Sequence, residues 1–287
     1  MRKLMTLLLA LTASMSFAQT RQAYAVFTSE GDETDYGRMV KELNHADVIF
    51  IGETHNCPIA HWMEYEIASD IIRKSEKGLT LGAEMFESDN QLLVDEYTRG
   101  LISSDKFEAE AKLWDNYWTD YSGLLYLARE HGLKFVATNV PRRYASLVKD
   151  NGLEALQNLP DEAKNLMAPL PIAFDAQAQD EAMFGFMQMM GGKGSANSHL
   201  AEAQAIKDAT MAWFISRNFD RKFIHYNGNF HSDNHGGIIP YLEQYLPGKK
   251  IATVCSVRQD KIDSLDKENR SRADFIIVAP TDFPMSY

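Results

Sequence analysis

Residues 46–61, ADVIFIGETHNCPIAH, decide the fold. Val48, Ile49, Phe50 and Ile51 form an unbroken apolar run, the pattern of a strand covered on both faces. Gly52 is read as the residue that stops the strand and turns the chain. Pro58 follows, and IAHWMEYEIASDIIRKS (59–75) then reads as a helix. In an open parallel sheet, ligands sit in the crevice at the carboxyl ends of the strands. Glu53 and His55 are therefore expected at the functional rim.

Working outward, strand and helix patterns alternate. Strands are expected at 24–28, 47–51, 79–86, 133–140, 222–228, 249–257 and 274–280, with helices over 35–45, 59–76, parts of 89–131 and 236–246. Such alternation predicts an α/β fold with a mostly parallel β-sheet flanked by helices. Residues 142–198 carry no strand pattern and are read as a smaller all-helical domain, inserted into an α/β domain made of 19–141 and 199–287. Within it, AMFGFMQMM (182–190) suits either a helix seam or an adaptable wall for a flat apolar ligand such as a porphyrin.

The chain opens MRKLMTLLLALTASMSFAQT, with Arg2 and Lys3, an apolar centre and Ser16-Phe17-Ala18 before Gln19. Residues 1–18 have the pattern of a secretory signal peptide and are too short for a membrane span. No cysteine follows the leader, so a lipid anchor is not expected, and the mature protein is expected to be periplasmic or secreted. The net charge of −11 argues against nucleic acid or an anionic membrane as partner. Cys57 and Cys255 are the two cysteines; one disulfide or two buried thiols are both open readings.

Titratable residues recur at strand ends. Glu53 and His55 form the first group, Glu84 the second, and HYNGNFHSDNHGG (225–237) the third. Gly52-Glu-Thr-His55 and Gly228-Asn-Phe-His231 share the spacing G-x-x-H. Two histidines and a carboxylate meeting on one sheet edge suit a divalent metal such as zinc or iron(II), with His55, Glu84 and His231 as ligands. Without a metal, the same groups supply a general base and its orienting acid. His45, His131, His61 and His199 are read as surface or connecting residues, and His225 as a hydrogen-bonded core histidine.

Taken together, VIFIGETHNCPIAH, GAEMFE, TNVPRR, IKDATMAW and HYNGNFHSDNHGG resemble the ChaN family of haem-binding uptake proteins, in the Tiki/erythromycin-esterase-like superfamily. The resemblance runs over nearly the whole mature chain. It implies a parallel-sheet domain with a smaller helical one, export, a role in haem or iron acquisition, and cofacial haems held across a homodimer by tyrosine. The tyrosines available here are Tyr117, Tyr121, Tyr126 and Tyr144. The superfamily also contains hydrolases, metal-dependent or working through histidine and glutamate. By that resemblance, Glu53, His55, Glu84 and His231 fall on active-site positions, and Arg142 and Asp208 lie in matching stretches.

Overall fold

A computed structural model describes residues 22–75, 78–175 and 199–286. The leader 1–18 and the Met- and Phe-rich segment 182–190 lie outside the described residues.

Eight strands form one sheet in the order β2-β1-β8-β7-β3-β6-β4-β5. They are β1 (Ala25–Thr28), β2 (Glu33–Thr34), β3 (Val48–Glu53), β4 (Leu79–Glu87), β5 (Lys134–Asn139), β6 (Lys222–Gly228), β7 (Ile251–Gln259) and β8 (Phe275–Pro280). The six from β8 to β5 run parallel, and β1 lies antiparallel between β8 and the edge strand β2. The expected α/β fold with a mostly parallel sheet is the one observed.

Helices cover both faces because the central strands are apolar on both. Ile49 and Ile51 of β3 join Ile224 and Tyr226 of β6 under α1 (Tyr36–Leu43), α2 (Pro58–Lys74), α3 (Gln91–Thr98), α4 (Ser104–Glu110) and α5 (Ser122–Glu130). Val48, Phe50 and Phe223 point the other way, towards α6 (Arg142–Asn151), α8 (Leu200–Asn218) and α9 (Ile238–Tyr245). This alternation is the two-residue period of a strand. The described part of the expected insert contains α6 and a short α7 (Asp161–Lys164). Its Ala145, Val148, Leu156, Met167 and Ala168 share one buried cluster with α8 and the sheet. Cys57 and Cys255 are buried free thiols.

The connections bring the site together. From β3 the chain passes over the position of β6 to form β4 and β5, and only later returns to fill the gap between β3 and β4. The ends of β3, β6 and β4 therefore lie side by side, with Glu53 in register with Gly228.

Candidate functional site

Gly52 does not stop β3; the strand runs on to Glu53. Nor does either G-x-x-H glycine need a turn. Gly228 has φ −58° and ψ 142°, which any residue adopts, and Gly52 is not among the positive-φ glycines. Both are there for close approach. A Cβ on Gly52 would meet Asn229 Oδ1 at 2.7 Å, and one on Gly228 would meet His55 Cε1 at 2.8 Å and Nε2 at 2.9 Å. Asn229 uses that room to bond β7, donating from Nδ2 to the Ser256 carbonyl at 2.7 Å.

On the α2 face, Glu53 is 2% exposed and is the hub. Its Oε1 accepts from His55 Nδ1 at 2.6 Å and from the Tyr121 hydroxyl at 2.8 Å. Its Oε2 lies 2.8 Å from His61 Nδ1. Burial pushes the Glu53 carboxyl up, but the bonds from His55 and His61 outweigh it and hold the group at about 2. Burial disfavours charge on His61, yet Glu53 and Glu64 raise it to about 11. Glu64, fully buried and beside Glu53, is raised to about 8.

On the α8 face, His231 lies between two carboxylates. Its Nδ1 is 2.5 Å from Asp208 Oδ1, and its Nε2 is 3.2 Å from Glu84 Oε1. Glu84 Oε2 also accepts the backbone N–H of Gly228 at 2.8 Å. Burial opposes charge on His231, but Glu84 and Asp208 raise it to about 10. Burial alone would raise Glu84; the His231 and His55 charges instead hold it well below the carboxylate range. Asp208 goes the other way, raised because burial dominates.

Glu53, His55, Glu84, Arg142 and His231 all line one cavity of about 600 Å³, with Asn139 and Lys207 also at its wall. Asp208 is buried behind His231. A wider cavity of about 1020 Å³ shares Glu87, Trp114, Arg142 and Ser146 with the first, and adds Lys112, Leu113 and Arg143. The four tyrosines do not converge. Tyr117 packs among Phe86 and Phe107, Tyr121 is committed to Glu53, Tyr126 is 50% exposed on α5, and Tyr144 carries the Arg143 guanidinium 4.4 Å over its ring. None of them lines either cavity.

Of the residues suggested as metal ligands, His55, Glu84 and His231 share the cleft, with each nitrogen of His231 beside a carboxylate. The described residues whose ligand atoms lie within 4.8 Å of one another are instead Glu53, His61 and Glu64.

The reading of His61 as a surface residue is overturned. It is 6% exposed, because α2 lays its first turns directly over the end of β3. His61 and Glu64, three apart on one helix face, were the available signal in the sequence. His225 is a core histidine, bonded to Thr138 Oγ1 at 2.8 Å and Asn227 Oδ1 at 3.0 Å. Burial lowers it to about 4, so it is neutral.

The family model for haem-binding uptake proteins of the Tiki superfamily, ChaN, matches residues 39–242. No curated protein matches the chain. Among solved structures, one described as cofacial heme binding to ChaN of Campylobacter jejuni is similar, at 16% identity and TM-score 0.70, covering 89% of this chain and 96% of that one. A succinoglycan biosynthesis protein is similar at 12% identity and TM-score 0.51, covering 85% and 90%. At these identities the structural likeness speaks for the fold; the family assignment rests on the match over 39–242. The chain belongs to the ChaN family of haem-binding uptake proteins in the Tiki superfamily.

Proposed function

We propose that this protein binds haem and, exported under the leader read in residues 1–18, serves haem or iron acquisition in the periplasm or outside the cell. Family membership gives the ligand class. The observation that supports it here is the cavity of about 1020 Å³, which sets Trp114 and Leu113 beside Lys112, Arg142 and Arg143. An apolar macrocycle with two propionates asks for that pairing of flat apolar wall and cations. Buried Tyr117 and Tyr121 have no route to an iron atom without moving. Tyr126 and Tyr144 keep solvent contact, and Tyr144 stands on α6 with Arg142, Arg143 and Ser146. Tyr144→Phe is therefore the first ligand substitution, and a cofacial pair would require a homodimer. Haemin titration of the mature protein tests the reading: saturable binding with a tyrosinate-like high-spin spectrum supports it, and absence of saturable binding ends it.

The second reading is a hydrolase, and one observation favours it. His55 keeps Nδ1 fixed by Glu53 while its side chain is 40% exposed, directly across Gly228 from Glu84. In this reading Glu84 takes a proton from water, since both Glu53 oxygens are already engaged, His55 polarises the substrate carbonyl, Asp208 orients His231, and Arg142 binds substrate. Retention of full ester, amide or peptide cleavage by His55→Ala and His231→Ala variants would exclude it.

A further inference from the structure

We propose that Glu53, His61 and Glu64 form a buried site for one divalent transition-metal ion, behind the cleft and between α2 and the sheet. The site is distinct from the cleft trio of His55, Glu84 and His231, and it depends on neither functional reading above.

Geometry comes first. His61 Nδ1 lies 2.8 Å from Glu53 Oε2 and 3.1 Å from Glu64 Oε2. One nitrogen and two carboxylate oxygens thus converge from the end of β3 and one face of α2. The other side of the imidazole is already backed. His61 Nε2 faces the His55 carbonyl at 3.1 Å and Asp120 Oδ2 at 3.3 Å. Asn116 Nδ2 fixes both acceptors, donating to Asp120 Oδ2 at 2.7 Å and to the His55 carbonyl at 3.2 Å. A histidine whose outer N–H points at a carboxylate, leaving its other nitrogen for the ion, is the usual support of a protein metal ligand.

Charge comes second. In the metal-free protein the Nδ1 proton of His61 faces the two buried carboxylates; an ion at the convergence point would take the place of that proton, leaving His61 neutral with its one proton on Nε2. Glu53, Glu64 and Asp120 then carry three negative charges with no Lys or Arg among their partners. Buried charge without compensation is costly. A divalent cation at the convergence point balances most of it.

An independent observation points to the same place. The Tyr226 hydroxyl, on β6 beside Ile51 of β3, is fully buried and has no hydrogen-bond partner among the described residues. The charge of Glu64 is felt at that hydroxyl, and Glu64 Oε1 is itself buried without a partner. Such orphans in a native interior call for a partner. An ion with a bound water supplies one to both. A separate cavity of about 260 Å³, lined by His61, Trp62 and Asp120, gives an ion a path from the α2 side. One imidazole with carboxylates and no thiolate suits zinc, iron(II) or manganese(II) rather than copper(I).

The test is metal retention. The purified full-length protein is stripped with chelator, loaded separately with Zn²⁺, Mn²⁺ and Fe²⁺, desalted and analysed for metal by mass spectrometry. One equivalent of one of these ions is expected per chain. Glu64→Gln, which keeps shape, is expected to lose it, and Asp120→Asn to weaken affinity by about 10–100-fold. His231→Ala, on the other face of the sheet, is expected to keep the ion. Far-UV circular dichroism in chelator checks that each variant folds, and Asp120→Asn carries the test alone if Glu64→Gln does not. No retained metal in the wild type, or retention unchanged in both Glu64→Gln and Asp120→Asn, overturns the proposal. Haemin binding or cleavage in the same samples is a separate readout, so failure here leaves those readings standing.

Discussion

On the α2 face one carboxylate serves three partners, whereas on the α8 face one imidazole serves two carboxylates. Glu53 accepts from His55 and Tyr121 and faces His61, while His231 is closed at both nitrogens by Asp208 and Glu84. The difference in access follows. The His231 side chain is 6% exposed and the His55 side chain 40% exposed. A group capped on both sides holds its position; a group capped on one side is free to exchange protons with a ligand. His55 is thus the more accessible of the two imidazoles and His231 the more firmly held, with the bare backbone of Gly228 between His55 and Glu84.

The largest test of this contrast is Glu53→Ala. It removes the shared acceptor of three groups and leaves buried His61 beside Glu64. Breaking a buried charge pair in that way costs about 3–5 kcal/mol. Urea unfolding of the chelated protein measures it, and a loss under about 1 kcal/mol would mean Glu53 is no hub. Asp208→Ala strips one of two partners from His231, with Glu84 still in place. The expected loss is about 1–3 kcal/mol, the cost of one buried unsatisfied donor. If Asp208→Ala costs more than Glu53→Ala, the two faces have been ranked the wrong way round.

Why the α8 face was the more legible of the two can be read from particular residues. Seven of the eight strands and the grouping of Glu53, His55, Glu84 and His231 follow from apolar runs that end in polar residues, a local pattern. His61 has no such mark. It stands one residue before Trp62, which is 48% exposed, and its burial depends on how α2 lies across β3. Asp120 reaches His61 from the turn before α5, a convergence that no spacing within one segment encodes. The G-x-x-H glycines were found by pattern but for a different reason, since close approach leaves no trace in the sequence until the neighbour is known.

A gentler probe of the same clusters is pH. His231 is raised from 6.5 to about 10 in the folded protein, so its contribution is fully present below about 6.5 and is lost as pH rises through about 10. Glu64 and Asp208, also raised, act in the same direction. Glu53, lowered to about 2, stabilises above about 4.5 and loses that contribution as pH falls. The urea midpoint of the metal-free protein should therefore fall steadily between pH 6.5 and 10. His231→Asn should make that slope shallower, because its side chain does not titrate, and leave the part due to His61, itself raised to about 11. A flat wild-type profile would mean that His231 is not held charged between its carboxylates.

The smallest effect on stability is expected from Gly228→Ala, and it separates the accessible imidazole from the held one most cleanly. The new methyl needs the space now held by His55 Cε1 and Nε2. The backbone there accepts any residue, so no strain arises from φ and ψ. The imidazole, 40% exposed, is the part free to yield. It swings towards solvent and gives up its bond to Glu53, at a cost of about 1 kcal/mol. His231 stays where it is, because Asp208 and Glu84 hold it from the other face. Histidine NMR titration reads the outcome directly. His55, raised in the native protein against its burial by Glu53 and Glu84, should fall towards the ordinary histidine value while His231 stays raised. If both histidines move together, the two faces are one coupled unit, and the division between an accessible and a held imidazole does not hold.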